Sequence, residues 1–148
     1  GPLGMVDGDG PHFLRQSLKR HTAGSAFSAR FLLQVPRVDV SFCYAGMDGT
    51  AVRAFVQAGA KGIVSAGMPP GLLPAAELEA LRAAQQQGVV IVQASRSVGG
   101  RVARRRALRD YGFVAANGLN PQKARILLML ALARTQKVDE IQEFFDTH

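Results

Sequence analysis

The unbroken run Val89-Val90-Ile91-Val92 constrains the fold most, because a strand that is apolar on both faces has to be covered on both. Such strands belong to parallel sheets enclosed by helices. The neighbouring sequence supplies matching parts. Val35-Pro36-Arg37-Val38-Asp39-Val40-Ser41-Phe42-Cys43-Tyr44 alternates β-favouring residues and leaves into the turn Gly46-Met47-Asp48-Gly49. Ala51 to Ala58 then sets Val52, Phe55 and Val56 at helical i, i+3, i+4 spacing, with Gly59 as the stop. Gly62-Ile63-Val64-Ser65-Ala66-Gly67 reads as a second buried strand, ended by Pro69-Pro70-Gly71. Pro74 suits the first turn of a second helix, on which Leu78 and Leu81 recur before Gly88. Repeated strand-helix units predict an α/β fold with right-handed crossovers.

After Ser95 the sequence predicts a loop rich in glycine and arginine, then a fourth, shorter strand within Tyr111-Gly112-Phe113-Val114-Ala115-Ala116. Asn120 followed by Pro121 is a strong helix start, since asparagine accepts free first-turn amides and proline has none to satisfy. The helix it opens, Ala124 to Ala133, is almost wholly apolar, which predicts burial nearly all round, partly under another domain or subunit. A last helix from about Val138 places Val138, Ile141, Phe144 and Phe145 on one stripe. The expected domain, 35–148, is therefore a small three-layer α/β unit with a mainly parallel four-stranded sheet and flanking helices.

Ahead of it, 6–34 reads as an irregular leader or linker, interrupted by Gly8, Gly10, Pro11 and Gly24 and made polar by Arg15, Lys19, Arg20 and His21. Gly1-Pro2-Leu3-Gly4 looks like the scar of a removed affinity tag, so residues 1–5 are set aside from the expected fold. A length of 148 residues fits one core, and 47% hydrophobic with 20% charged residues argues against disorder. Cys43 is the single cysteine; its neighbours Val38, Val40, Phe42 and Tyr44 predict a buried thiol. No apolar run approaches the ~20 residues a membrane-spanning helix needs, and no signal peptide opens the chain, so it is expected to be soluble.

A net charge of +7 would by itself suggest an anionic partner, yet the excess is local. Five arginines fall between Arg101 and Arg109, whereas Asp139 to Asp146 is acidic. The arginine run has no interleaved aromatic residue for stacking on bases, so it reads as a solvated or subunit-facing loop rather than a nucleic-acid site. Gly46-x-x-Gly49 and Gly67-x-x-x-Gly71 lack the lysine and hydroxyl of a phosphate loop.

Open parallel sheets bind ligands beyond the carboxyl ends of their strands, which points to the loops Ala45 to Gly49, Gly67 to Gly71 and Ser95 to Arg101. Asp48, Gly67, Gly71, Ser95 and Arg96 are the candidate substrate-proximal residues there. Each polar one has a structural alternative: Asp48 as a turn residue, Ser95 as a turn cap, Arg96 in an interface pair. Catalysis needs a nucleophile beside a base, or a metal with three ligands, and neither is visible. His12 and His21 lie in the leader and His148 is terminal, while Ser95 and Ser97 sit outside any G-x-S-x-G pattern. No catalytic residue, metal or cofactor is expected in this chain.

Tyr44-Ala45-Gly46-Met47-Asp48-Gly49-Thr50, Gly59-Ala60-Lys61-Gly62-Ile63-Val64-Ser65-Ala66-Gly67 and Leu119-Asn120-Pro121-Gln122-Lys123-Ala124-Arg125 together resemble the C-terminal domain of bacterial-type L-asparaginases. Tyr111 to Ala116, Leu127 to Ala133 and Ile141 to Phe145 extend the likeness, and Arg20-His21-Thr22 with Phe27 resembles that family's interdomain linker. The resemblance implies that the catalytic threonines, aspartate and lysine reside in an N-terminal domain absent from this chain. It implies a parent that converts L-asparagine and water to L-aspartate and ammonia, and an isolated chain that is inactive. It also implies a homo-oligomer, dimer or tetramer, in which this domain lends substrate-shaping residues to a neighbour. Alternatives are a related amidohydrolase preferring glutamine or another amide, and a non-enzymatic module binding an anion or nucleic acid through Arg101 to Arg109. An export signal would lie upstream, which leaves cytoplasm and periplasm both open. Two departures fall on the lent residues: Gly67-Met68-Pro69-Pro70-Gly71-Leu72 has no asparagine, and Ser97 to Arg109 has no acid, where many family members carry a substrate-binding glutamate.

Overall fold

The computed structural model describes residues 2–28 and 35–148, so the last part of the leader, 29–34, lies outside the described residues. The leader is more ordered than its composition suggests. Strands β1 (Gly4–Asp7) and β2 (Gly10–Phe13) pair as an antiparallel hairpin, with Gly4 opposite Phe13 and Met5 opposite His12. Gly4 and Met5, from the segment 1–5 that was set aside, lie in β1. Asp7-Gly8-Asp9-Gly10 makes the reversal: Asp7 Oδ1 accepts the Asp9 amide at 3.0 Å, and Gly10 takes φ 114°, a region that side chains disfavour. Glycines read as interruptions are in this place the hairpin signal. A 3-10 turn, Thr22–Gly24, follows.

Beyond the leader, strand and helix alternate as predicted. In chain order come β3 (Val38–Phe42), α1 (Thr50–Gln57), β4 (Gly62–Gly67), α2 (Ala75–Gln86), β5 (Val90–Ser95), α3 (Arg106–Asp110), β6 (Val114–Ala115), α4 (Pro121–Leu132) and α5 (Val138–Thr147). The four later strands form one parallel sheet in the order β3-β4-β5-β6. Alternate residues of each strand face opposite layers. Val64, Val90, Val92 and Val114 pack with Leu127 and Leu128 of α4 and with Ile141 and Phe145 of α5. Ile63, Ile91 and Ala115 pack with Val52 of α1, Leu81 of α2, Leu108 of α3 and Phe113 on the other side. The two-faced burial inferred for Val89 to Val92 is the literal arrangement of β5.

Local signals set the boundaries. Asn120 Oδ1 accepts the Lys123 amide at 2.9 Å, with Pro121 opening α4. Gly59 and Gly88, at φ 83° and 86°, end α1 and α2. Gly62 admits α4 closely, since a Cβ there would lie 2.7 Å from Leu128 Cδ2. The leader docks at the other end of the chain: the Arg20 amide donates to the Thr147 carbonyl at 2.7 Å, and the Phe27 ring lies 4.9 Å from that of Phe144.

Two expectations need correction. The glycine- and arginine-rich segment is not loop throughout, because Arg106–Asp110 forms α3, with Leu108 turned into the core. One apolar residue with a helical turn of polar neighbours was too short a period to recognise. Burial of α4 is one-sided rather than complete: Ala124, Leu127, Leu128 and Ala131 are buried, whereas Ile126 is 52% exposed and Met129, Leu130 and Ala133 are half-buried. No helix among the described residues is long and apolar enough to cross a membrane.

Candidate functional site

The carboxyl ends of β3, β4 and β5 bring three loops together, and main-chain hydrogen bonds join them. The Cys43 amide donates to the Ala66 carbonyl at 3.1 Å, and the Arg96 amide to the Gly67 carbonyl at 2.9 Å. Arg96 Nη1 then reaches across to the Cys43 carbonyl at 2.7 Å. The Arg96 side chain therefore clasps the loops following β3 and β5 within this chain.

Gly67 closes β4 under the tight turn that follows. The Met68 amide donates to the Leu72 carbonyl at 2.8 Å, and Gly71 sits at φ 96°. A Cβ on Gly67 would lie 2.7 Å from the Leu72 carbonyl oxygen and 2.9 Å from the Gly71 carbonyl carbon, so glycine is a packing requirement. The Pro69-Pro70 peptide within the turn is cis.

Asp48 acts at the start of α1. Its Oδ1 accepts the Thr50 amide at 2.8 Å and its Oδ2 the Thr50 hydroxyl at 3.0 Å, and these bonds hold its pKa below the ordinary value. Ser95 is buried at the end of β5, where its Oγ accepts the Ser97 amide at 3.2 Å. The five residues picked from sequence lie in or beside these loops, but Asp48, Ser95 and Arg96 each hold local structure.

Below the loops lies a polar row that sequence reasoning missed. Ser41, Ser65, Gln93 and Ala115 are register neighbours across β3, β4, β5 and β6. Glu77, fully buried in the first turn of α2, accepts both serine hydroxyls on Oε1, at 3.0 Å from Ser41 and 3.1 Å from Ser65. Its Oε2 and Gln93 Nε2 are buried without a hydrogen-bond partner. An unpartnered buried polar group costs roughly 1–3 kcal/mol, so the row is conspicuous in so apolar a sheet. The available signal was Ser65 and Gln93 interrupting otherwise apolar buried strands.

The Cys43 thiol is 1% exposed beside this row; burial first, then the negative charge of Glu77, push its pKa up. His148 Nε2 accepts the Ala26 amide at 3.0 Å, at the docked leader rather than in the three loops. In the three loops the hydroxyl bonded to a carboxylate is Thr50, whose bond to Asp48 holds the start of α1. Asp7, Asp9 and His12 bring possible ligand atoms within 4.8 Å of one another on the exposed leader hairpin, a grouping created by the β1–β2 register.

The arginine segment is built into the fold. Val102 is buried and bridges Asn117, Arg101 Nε donates to Asn117 Oδ1 at 3.0 Å, and Arg104 pairs with Asp139 of α5 at 2.5 Å. Arg106 lies 3.7 Å from Asp110. Around these loops the surface carries exposed apolar side chains: Tyr44 at 58%, Leu72 at 53% and Val98 fully exposed.

The model of the glutaminase/asparaginase C-terminal domain matches residues 37–145. A glutaminase-asparaginase from Pseudomonas fluorescens biotype A is 41% identical over 98% of this chain and 41% of its own length. L-asparaginase 2 of Escherichia coli K12 is 36% identical over 100% of this chain and 43% of its own length, so the alignment takes in residues 1–5 as well. The crystal structure of a probable cytoplasmic L-asparaginase from Campylobacter jejuni superposes with a TM-score of 0.91 at 35% identity, over 99% of this chain and 48% of that one. The chain spans less than half the length of these relatives. It belongs to the glutaminase/asparaginase family, and what it represents is that family's C-terminal domain.

Proposed function

We propose that the parent protein hydrolyses the side-chain amide of L-asparagine, releasing ammonia and L-aspartate, and that this domain shapes the substrate site and assembles the enzyme without performing the chemistry. The observation that carries this reading is the carboxyl edge of the sheet in a chain of this family. Three interlocked loops present Tyr44, Leu72 and Val98 to the exterior, and the hydroxyls bonded to carboxylates there serve local structure, Thr50 with Asp48 at the start of α1 and Ser41 and Ser65 with Glu77 between sheet and α2. A rigid, partly apolar edge suits a surface completed by another domain. On this reading the isolated chain is inactive.

Self-association is supported by the outer face of α4, where Ile126, Met129, Leu130 and Ala133 recur at helical spacing and remain open or half-open. A mass that grows with concentration in light scattering tests it; a fixed monomer mass opposes it.

Glutamine is a second substrate reading, favoured by the relatives from Pseudomonas fluorescens and Pseudomonas aeruginosa, 41% and 38% identical, which are glutaminase-asparaginases. One experiment addresses both substrates: ammonia release by the complete parent offered asparagine and glutamine separately, with this chain alone as control. Activity only in the parent supports the proposal, and the ratio of rates assigns the amide. Turnover by the isolated chain overturns the division of labour, and silence from both overturns the amidohydrolase reading.

A further inference from the structure

We propose that the tip of the leader hairpin is a site for one divalent transition-metal ion of the zinc class, held by Asp7, Asp9 and His12. This goes beyond the amide-hydrolysis reading and does not rest on it. The aspartates each offer a carboxylate oxygen and His12 an imidazole nitrogen, and these atoms lie within 4.8 Å of one another. Two ligands at metal–donor distances of about 2.1 Å can stand no more than about 4.2 Å apart, so side-chain movements of a fraction of an ångström bring all three onto one ion. The side chains have that freedom, His12 being 54% and Asp7 59% exposed.

The hairpin register makes the grouping. Met5 stands opposite His12, so Asp7, two residues beyond Met5, shares the face that His12 occupies. His12 Nε2 consequently lies 3.3 Å from Asp7 Oδ1. The same oxygen accepts the Asp9 amide at 3.0 Å, which folds Asp9 back beside the pair. Gly8 and Gly10 leave the turn open: a Cβ on either would meet nothing within 4 Å, so water can fill the remaining coordination positions.

The charges call for a cation, and the donors select it. His12 answers Asp7, but among the described residues the Asp9 carboxylate has no hydrogen bond or ion pair. Two carboxylates this close repel one another, and one imidazole cannot neutralise both. Imidazole combined with carboxylate suits zinc, nickel and cobalt, whereas calcium and magnesium favour oxygen ligands alone. A bound ion ties β1, the turn and β2 together. That clip matters because β1 and β2 form a two-stranded sheet of their own, an element only marginally stable by itself.

The test titrates Zn2+ calorimetrically into the complete, chelator-treated chain at slightly alkaline pH, where a histidine ring nitrogen is free to coordinate. One equivalent saturates, and Ca2+ and Mg2+ bind at least about tenfold more weakly, because neither ion favours the nitrogen donor. His12→Gln and Asp9→Asn each weaken Zn2+ at least about tenfold. His21→Gln, an exposed histidine outside the hairpin, leaves the affinity unchanged. All three substitutions fall at exposed positions, and circular dichroism checks that each variant folds. Equal binding of Ca2+ would report an acidic cluster alone and overturn the proposal. So would failure to saturate at one equivalent, undiminished binding by His12→Gln, or loss of binding in His21→Gln.

Discussion

The Ser65 hydroxyl donates to Glu77 Oε1 at 3.1 Å inside an otherwise apolar layer, and Ser41 reaches the same oxygen from the neighbouring strand at 3.0 Å. One carboxylate oxygen of α2 thereby holds β3 and β4 to the helix directly below the candidate loops. Replacing Glu77 by alanine strands two buried hydroxyls and opens a cavity, with an expected loss of roughly 2–4 kcal/mol. Glu77→Gln keeps an acceptor while removing a buried charge, so it stays within about 1.5 kcal/mol of the wild type. Urea unfolding of the two variants checks the contrast. Equal losses would show that charge, not acceptance of the serines, is what matters.

Asn120→Ala removes the side-chain acceptor for the Lys123 amide at the start of α4. The expected loss is about 1 kcal/mol, and Asn120→Ser restores most of it because serine caps nearly as well. Thermal or urea unfolding measures both. Since α4 packs on β3, β4 and β5, the loss is felt by the whole domain as a shifted midpoint with an unchanged slope.

Much of this architecture follows from short-range rules, as α4 shows: asparagine, proline and an apolar run were enough to place its first turn. The strands were equally legible, because Val89 to Val92 is apolar in both phases of the pleat. What escaped depended on separations that no local window contains. Asp7 meets His12 only through a hairpin register, and Ser41, Ser65, Glu77 and Gln93 meet only once strands from three parts of the chain align. Arg96 was selected for its loop, but its distance to the Cys43 carbonyl could be known only from the fold. The exposure of Ile126 likewise depends on which side of α4 faces the sheet, a question composition does not answer.

His148 gives a pH-dependent tie between the leader and α5. Burial lowers its pKa from the ordinary value of about 6.5, more than the Phe144 carbonyl raises it. The acceptor role of Nε2 toward the Ala26 amide requires that nitrogen to be unprotonated. With the folded pKa below the unfolded one, the unfolded chain binds more protons in between. The stabilisation is therefore complete above about pH 6.5 and is lost as pH falls through the folded pKa. A proton NMR titration shows the Ala26 amide moving upfield and losing protection relative to its intrinsic exchange rate on that acid limb. An Ala26 resonance that ignores the His148 titration would sink this assignment.

Cys43 combines a thiol that is 1% exposed with a pKa raised by burial and by the Glu77 charge. Both effects act against attack on a disulfide reagent, burial by blocking access and the raised pKa by reducing the thiolate fraction. Reaction of the native chain with Ellman's reagent at neutral pH therefore has to pass through opening of the carboxyl edge of β3. The expected rate levels off as reagent concentration rises, reaching the opening rate, when reclosing is slower than modification; otherwise it scales with the open population. Urea far below the unfolding midpoint accelerates reaction slightly if a local opening suffices, and in proportion to global stability if the whole domain must unfold. Arg96→Ala distinguishes these routes, because it releases the Cys43 carbonyl from the β5 loop while leaving both hydrophobic layers intact. Faster modification in that variant, beyond what its lost stability explains, identifies the Arg96 clasp as the barrier. Rapid labelling of the wild-type chain at the speed of a free thiol would contradict the buried placement.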